Sequence, residues 1–163
     1  MSISTILKNK LHSTRLKIGD KAPVFIGIDD EGNKISLADY KGKKVVLYFY
    51  PKDNTPGCTN QSCNLTDNYE LLQKRGYEVI GVSADSVKSH QKFKAKYHLP
   101  FALIADEDKK IIGDYDVWGN KFFLGRYFNG IVRTTFIIDE TGIIEDIILS
   151  VKTKEHTKQI LEN

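Results

Sequence analysis

The sequence predicts an α/β fold: a central mixed β-sheet flanked by helices. Three observations carry this. Strand-length apolar runs alternate with segments of helical period. One run, Lys44 to Tyr50, is apolar or aromatic at every position after its lysine, as a strand buried on both faces must be. Two further runs near the C-terminus flank a tight turn. The first half therefore needs a parallel crossover and the last half an antiparallel pair.

The elements follow in order. Val24 to Asp29 reads as a strand, closed by the turn Asp30-Glu31-Gly32-Asn33 and a short second strand. Lys44 to Tyr50 is the central strand, and Pro51 ends it. Cys58 to Arg75 reads as one helix, because Leu65, Tyr69 and Leu72 recur at helical spacing and Gly76 supplies a C-terminal cap. Tyr77 to Ser83 is a second buried strand. Asp85 or Ser86 caps a helix running to about Tyr97. Phe101 to Ala105 is a short strand and Glu107 to Tyr115 a short helix. Gly119 to Asn129 is aromatic, carries glycine and has no clear period, so a loop packed on the core is expected there, the alternative being that Trp118, Phe122, Phe123, Tyr127 and Phe128 line a substrate pocket or a contact surface. Ile131 to Ile138 and Ile143 to Leu149 flank Asp139-Glu140-Thr141-Gly142, a hairpin signal. Thr153 to Leu161 is the last helix. This order is the one a thioredoxin-like fold uses.

At 163 residues, with no repeat or linker, the chain suits one domain over residues 17–163 behind a basic extension over residues 1–16. Lysine and arginine total 24 against 21 acids, a mixed surface that argues against nucleic acid as partner. No apolar run approaches the ~18 residues of a membrane span. Met1 to Gly19 has no signal-peptide apolar core and no acid, but carries Lys8, Lys10, Arg15 and Lys17. A basic extension on a cytoplasmic chain is the expectation, with a transit peptide as the less favoured reading. Two cysteines, Cys58 and Cys63, cannot make a disulfide scaffold. A close pair points to redox chemistry or to two ordinary thiols. His12, His90, His98 and His156 are scattered and complete no metal-binding spacing with them, so neither metal nor cofactor is expected. His90 reads as a helix-surface or satisfied histidine.

Chemistry concentrates between Pro51 and Cys63. A buried strand delivers the chain to a loop stiffened by Pro51 and Pro56, and Cys58 falls on the first turn of a helix. A helix start presents unpaired N–H groups and partial positive charge, which favour a thiolate. Thr55 can place a hydroxyl beside it. Free cysteines are more often buried and inert, but this placement reverses that preference.

Pro51-x-x-x-Thr55-x-x-Cys58 is similar to the peroxiredoxin active-site signature. The fuller string Tyr48-Phe49-Tyr50-Pro51 … Thr55-Pro56-Gly57-Cys58-Thr59 … Cys63 resembles the peroxiredoxin Q, or bacterioferritin-comigratory-protein, branch. The likeness runs from about Lys17 to the C-terminus. It includes Gly19-Asp20-Lys21-Ala22-Pro23, Ser89-His90, Leu99-Pro100-Phe101, Val117-Trp118-Gly119, and Arg133 before Thr135-Phe136-Ile137-Ile138-Asp139. It implies a thiol-dependent peroxidase acting on hydrogen peroxide and organic hydroperoxides. Cys58 matches the peroxidatic cysteine and Thr55 the hydroxyl that holds thiolate and peroxide. Pro51 matches the residue that shields the pocket, and Arg133 the arginine that closes the site from a later strand. Cys63 matches the resolving cysteine of many members, and a thioredoxin-like protein is the implied reductant. Residues 1–16 depart from the family pattern, as does Thr66, where many relatives carry arginine. Taken alone, Arg133 would read as an outward-facing strand arginine.

A low thiol pKa cannot by itself explain a fast peroxidase. Lowering a thiol from about 8.5 to about 6 raises the thiolate fraction at neutral pH about 30-fold. The accompanying fall in nucleophilicity is about 13-fold, leaving about a twofold gain. Transition-state contacts from Arg133, Thr55 and the Cys58 N–H are therefore expected to matter more. Residues five apart in an α-helix have Cα atoms about 8.7 Å apart, beyond the ~4.4–6.8 Å of a disulfide. If Cys63 resolves Cys58, the helix start must unwind. The route is intramolecular, so a monomer suffices. A non-enzymatic thiol redox sensor is the alternative reading. A disulfide reductase of the Cys-x-x-Cys type is disfavoured by the four-residue spacer.

Overall fold

The computed structural model describes residues 10–162. In chain order the elements are β1 (Ile26–Ile28), β2 (Lys34–Ser36), a 3-10 turn (Leu37–Tyr40), β3 (Lys44–Phe49), α1 (Pro56–Asp67), α2 (Tyr69–Lys74), β4 (Tyr77–Ser83), α3 (Val87–Tyr97), β5 (Ala102–Ala105), α4 (Lys110–Asp114), β6 (Trp118–Phe123), β7 (Arg126–Ile131), β8 (Thr134–Ile138), β9 (Ile144–Ile148) and α5 (His156–Leu161). The main sheet has the order β5-β4-β3-β8-β9. β3 runs parallel to β4 and antiparallel to β8, and β8 pairs antiparallel with β9, so the sheet is mixed.

The continuous apolar run becomes the central strand because both faces of β3 are covered. Val45, Leu47 and Phe49 point into a core with Phe25, Ile112 and Tyr115. Val46, Tyr48 and Tyr50 point into the other, with Leu65, Phe93, Phe101 and Cys58. The period of two along β3 thus places Cys58 against the strand that leads to its own loop.

Three elements differ from expectation. Gly119 to Asn129 is not a loop: β6 and β7 form an antiparallel hairpin in register from Trp118↔Ile131 to Phe123↔Arg126. Its two turn residues, Leu124 and Gly125, both have positive φ (50° and 77°), the pattern of a primed hairpin turn. Leucine hides that turn from a search for Asn-Gly or Asp-Gly. Its aromatics are not packed on the core either, since Phe122, Phe123, Tyr127 and Phe128 are all exposed.

The helix expected from Cys58 to Arg75 starts at Pro56 and breaks at Asn68. The Asn68 side-chain amide donates to the Asn64 carbonyl (2.8 Å), replacing the backbone N–H, which turns to Thr66. The strand expected over Ile131 to Ile138 is interrupted at Val132 and Arg133, so Arg133 lies at a junction between β7 and β8 rather than inside a strand.

The described part of the extension packs against the first strand of the hairpin and the turn before it. The His12 N–H donates to the Asn120 carbonyl, and the Thr14 hydroxyl to the Tyr115 carbonyl. Gly119 is required there, because a Cβ would fall 2.3 Å from the His12 ring. The other part of the extension lies outside the described residues.

Candidate active site

Thr55 is the N-cap of α1, and Pro56, Gly57 and Cys58 are its first three residues. Proline suits the first position because its missing N–H would have had no helical partner. The N–H of Cys58 belongs to the same set of first-turn donors, and the first helical bond is Thr59 N–H to the Thr55 carbonyl (2.8 Å). The Cys58 side chain is 1% exposed.

Arg133 reaches this sulfur from the β7–β8 junction. Its Nη2 donates to Cys58 Sγ at 3.2 Å, and its Nη1 donates to Gln61 Oε1 at 2.6 Å. Gln61 lies three residues beyond Cys58, on the same helix face, and is fully buried. Its Nε2 finds no partner among the described residues. A Cβ on Gly57 would sit 3.2 Å from Arg133 Nη2, so glycine leaves room for the guanidinium.

A cleft of about 800 Å³ opens onto the sulfur, lined by Pro51, Thr55, Cys58, Lys121 and Arg133 together with Phe122, Phe123, Phe128, Leu149 and Val151. Thr55 spends its hydroxyl proton on the Lys52 carbonyl (2.8 Å), which leaves its oxygen an acceptor. Lys121 donates to the Ile131 carbonyl (2.5 Å). Burial lowers its pKa, the nearby Arg133 lowers it further, and Cys58 opposes both.

Beneath the loop lies a buried polar network. Asp53 accepts from the Tyr50 hydroxyl (2.6 Å) and the Ser89 hydroxyl (2.8 Å), while its own N–H donates to Asp85 (2.8 Å). His90 Nδ1 faces Asp53 Oδ2 at 2.7 Å and its Nε2 faces the Ile104 carbonyl at 2.9 Å. Both ring nitrogens thus face oxygen acceptors, a setting that favours the protonated ring. Burial works against this charge, but the Asp53 hydrogen bond and charge hold the His90 pKa above its ordinary value. Asp53, Asp85 and His90 are also close enough to surround a cation, with donor atoms within 4.8 Å. Their oxygens and ring nitrogens are already engaged by the Tyr50 and Ser89 hydroxyls and the Ile104 carbonyl.

Cys63 lies on the same unbroken helix as Cys58, half-buried, and both are free thiols. Burial raises the Cys63 thiol pKa, with Asp67 adding to it.

The structure therefore brings Pro51, Thr55, Cys58 and Arg133 to one cleft and leaves Cys63 apart from Cys58. Sequence reasoning missed Gln61, Lys121 and the Asp53–His90 pair. Gln61 had a signal in its three-residue offset from Cys58. The other contacts are made by the fold and have no local signature.

The AhpC/TSA family model matches residues 18–147. A Coxiella burnetii chain named as a Bcp peroxiredoxin is 48% identical over 146 residues, covering 90% of this chain and 97% of that one. Peroxiredoxin Bcp of Bacillus subtilis is 44% identical over 147 residues, covering 90% and 94%. Among solved structures, the bacterioferritin comigratory protein of Xanthomonas campestris, studied for its alkyl peroxide reduction activity, superposes with a TM-score of 0.80 at 31% identity, covering 92% of this chain and 96% of its own.

Proposed function

Since the chain belongs to the AhpC/TSA family, within the peroxiredoxin Q or Bcp branch, and is thereby a thiol-dependent peroxidase, we propose the residues that carry each step of its cycle. The single observation that supports the assignment is the donor from Arg133 at 3.2 Å from a buried Cys58 sulfur that faces an open cleft.

Cys58 Sγ, as thiolate, attacks the outer oxygen of the hydroperoxide. The S–O bond forms as the O–O bond breaks, the inner oxygen leaves as water or an alcohol after taking a proton, and Cys58 becomes a sulfenic acid. Arg133 and the Cys58 N–H donate to the oxygens on which charge develops. Thr55, whose own proton is engaged, accepts the hydroperoxide O–H and so selects its orientation. Pro51 closes one side of the cleft. Gln61 holds Arg133 in place. The apolar wall of Phe122, Phe123 and Phe128 suits organic hydroperoxides as well as hydrogen peroxide.

Cys63 then attacks the Cys58 sulfenic sulfur, water leaves, and an intramolecular disulfide forms. This step needs the start of α1 to unwind, because the intact helix holds the two Cα atoms about 8.7 Å apart. A thioredoxin-like protein reduces the disulfide and restores both thiols. The cycle closes within one chain, which supports a monomer. Recycling by a thioredoxin-like dithiol needs a reducing compartment, which supports the cytoplasm; among the described residues no helix is long and apolar enough to cross a membrane.

The test is peroxide consumption coupled to thioredoxin, thioredoxin reductase and NADPH. Cys58→Ser should abolish turnover. Cys63→Ser should give one oxidation event and poor recycling. Full turnover by Cys63→Ser would remove Cys63 from the cycle. An oxidisable Cys58 with no turnover under any dithiol would restore the redox-sensor reading.

A further inference from the structure

The resolving step has a mechanical cost that the sequence of α1 does not account for. Thr59-Asn60-Gln61-Ser62-Cys63-Asn64 contains mostly mediocre helix formers. This stretch is held helical from outside by three side-chain anchors. Gln61 is tied to Arg133, and Ser62 to the Tyr48 hydroxyl in the core (2.9 Å). Beside the packing of Leu65 with Ile160, the third anchor is Asn64, the residue after Cys63, whose side chain hydrogen-bonds α1 to the C-terminal helix and the turn before it. Its Nδ2 donates to the Lys154 carbonyl (2.9 Å), and its Oδ1 accepts the Thr157 N–H (2.8 Å). The Thr157 hydroxyl donates more weakly to the Asn64 carbonyl (3.4 Å).

The wall that Asn64 grips is fixed independently of it. Ile160 is buried in the core, and His156 bonds Thr135 (2.8 Å) and Gln159 (3.0 Å). Gln159 also accepts from the Lys152 N–H and donates to the Ser150 carbonyl. When α1 unwinds to bring Cys63 to Cys58, Asn64 is therefore the half that moves, and its bonds to Lys154 and Thr157 must break.

Resting on the reading of Cys63 as resolving residue, we propose that Asn64 is a positioning residue for that step: it latches the Cys63 segment to α5, and its release sets how fast the Cys58 sulfenic acid is captured. While the latch holds, α1 is intact and the cleft stays competent for peroxide. A second hydroperoxide can then oxidise the sulfenate to a sulfinic acid, transferring one oxygen to sulfur and leaving as alcohol or water. When the latch opens, Cys63 attacks instead, a disulfide forms and water leaves. Asn64 thus divides Cys58 between recyclable disulfide and over-oxidised thiol.

The experiment compares wild type with Asn64→Ala. Each reduced protein is exposed to a series of hydrogen peroxide concentrations with reductant present, and Cys58 sulfinate is counted against disulfide by mass spectrometry. Losing two side-chain hydrogen bonds from the closed state, one exposed and one half-buried, should raise the peroxide concentration that half-inactivates the enzyme about three- to tenfold. The first oxidation of Cys58 should keep its rate within about twofold. An unchanged or lower half-inactivating concentration would overturn the proposal. A second arm needs no variant. In the wild type, the Thr157 amide should lose hydrogen-exchange protection when the disulfide forms, since its acceptor has left. Retained protection at Thr157 beside a formed Cys58–Cys63 disulfide would refute the latch while leaving the two-cysteine cycle intact. Absence of that disulfide would refute both.

Discussion

At the scale of single residues, the site is organised around one guanidinium. Arg133 places one nitrogen on the Cys58 sulfur and the other on Gln61, so its orientation is set by a fork that lysine could not reproduce. Because a more acidic thiol gains only about twofold in rate, Arg133→Ala should cost about 10²–10³ in the rate of Cys58 oxidation. That loss should exceed the change in thiolate fraction, followed by ultraviolet absorbance in the same variant. A rate that merely tracks the thiolate would assign Arg133 a purely electrostatic role on the ground state. Gly57 gives a finer probe. Alanine there brings a Cβ to 3.2 Å from Nη2, so the guanidinium must shift by a few tenths of an ångström. Gly57→Ala should retain the fold, since Gly57 does not have the positive φ that would strain alanine, and slow Cys58 oxidation about three- to tenfold.

At the scale of elements, the β6–β7 hairpin and the α1 helix carry function in opposite ways. The hairpin supplies the cleft's aromatic wall, and its turn holds a leucine in the left-handed region with 84% of its surface exposed. Leu124→Asn would create the Asn-Gly pair that primed turns favour. It should stabilise the protein by about 1 kcal/mol, read as a rise of roughly 2–4 °C in melting temperature for a chain of this length. No change or a fall would mean that Leu124 makes a contact worth more than the strain. In the proposed cycle the α1 helix works by coming apart. Oxidation should strip exchange protection from residues 58–64, while the β3 amides stay protected, because that strand is covered on both faces. The ordinary expectation for a polar, tertiary-anchored helix is fraying from its ends. In the proposed cycle the end that unwinds carries the nucleophile.

At the scale of the whole molecule, two buried histidines oppose each other in their dependence on pH. His156 is kept neutral: burial drives its pKa down to about 4 against the bond to Gln159, with Arg133 adding to the drop. The unfolded chain therefore binds a proton that the folded chain refuses, and stability falls as pH drops from about 6.5 to about 4, by up to about 3 kcal/mol. His90 has a raised pKa, so its contribution is fully present below about 6.5 and is lost as pH rises through the folded value. His156→Gln should flatten the acid side of the stability profile in denaturant titrations and leave its alkaline side alone. A profile unchanged below pH 6.5 would show that His156 does not titrate between the two states.

Much of this architecture was legible in the sequence where one local rule decided the matter. The uninterrupted run from Lys44 to Tyr50 announced a central strand, and the Thr-Pro-Gly-Cys turn announced a cysteine at a helix start. Where tertiary contact decided, the sequence was silent. The hairpin was missed because its aromatics face solvent and the cleft, so no buried alternation marks it. The break at Asn68 depends on a side chain bonding backwards. Asp53 and His90 are 37 residues apart and meet only because α3 packs under the loop after β3.

The most direct test of the account is to add one equivalent of hydrogen peroxide to the reduced protein and map the product by mass spectrometry. The expected product is a chain lighter by two hydrogens, with Cys58 and Cys63 joined in one disulfide-linked peptide and no disulfide-linked pair of chains. A lasting sulfenic acid on Cys58 with Cys63 still alkylatable, or a disulfide between two chains, would contradict it.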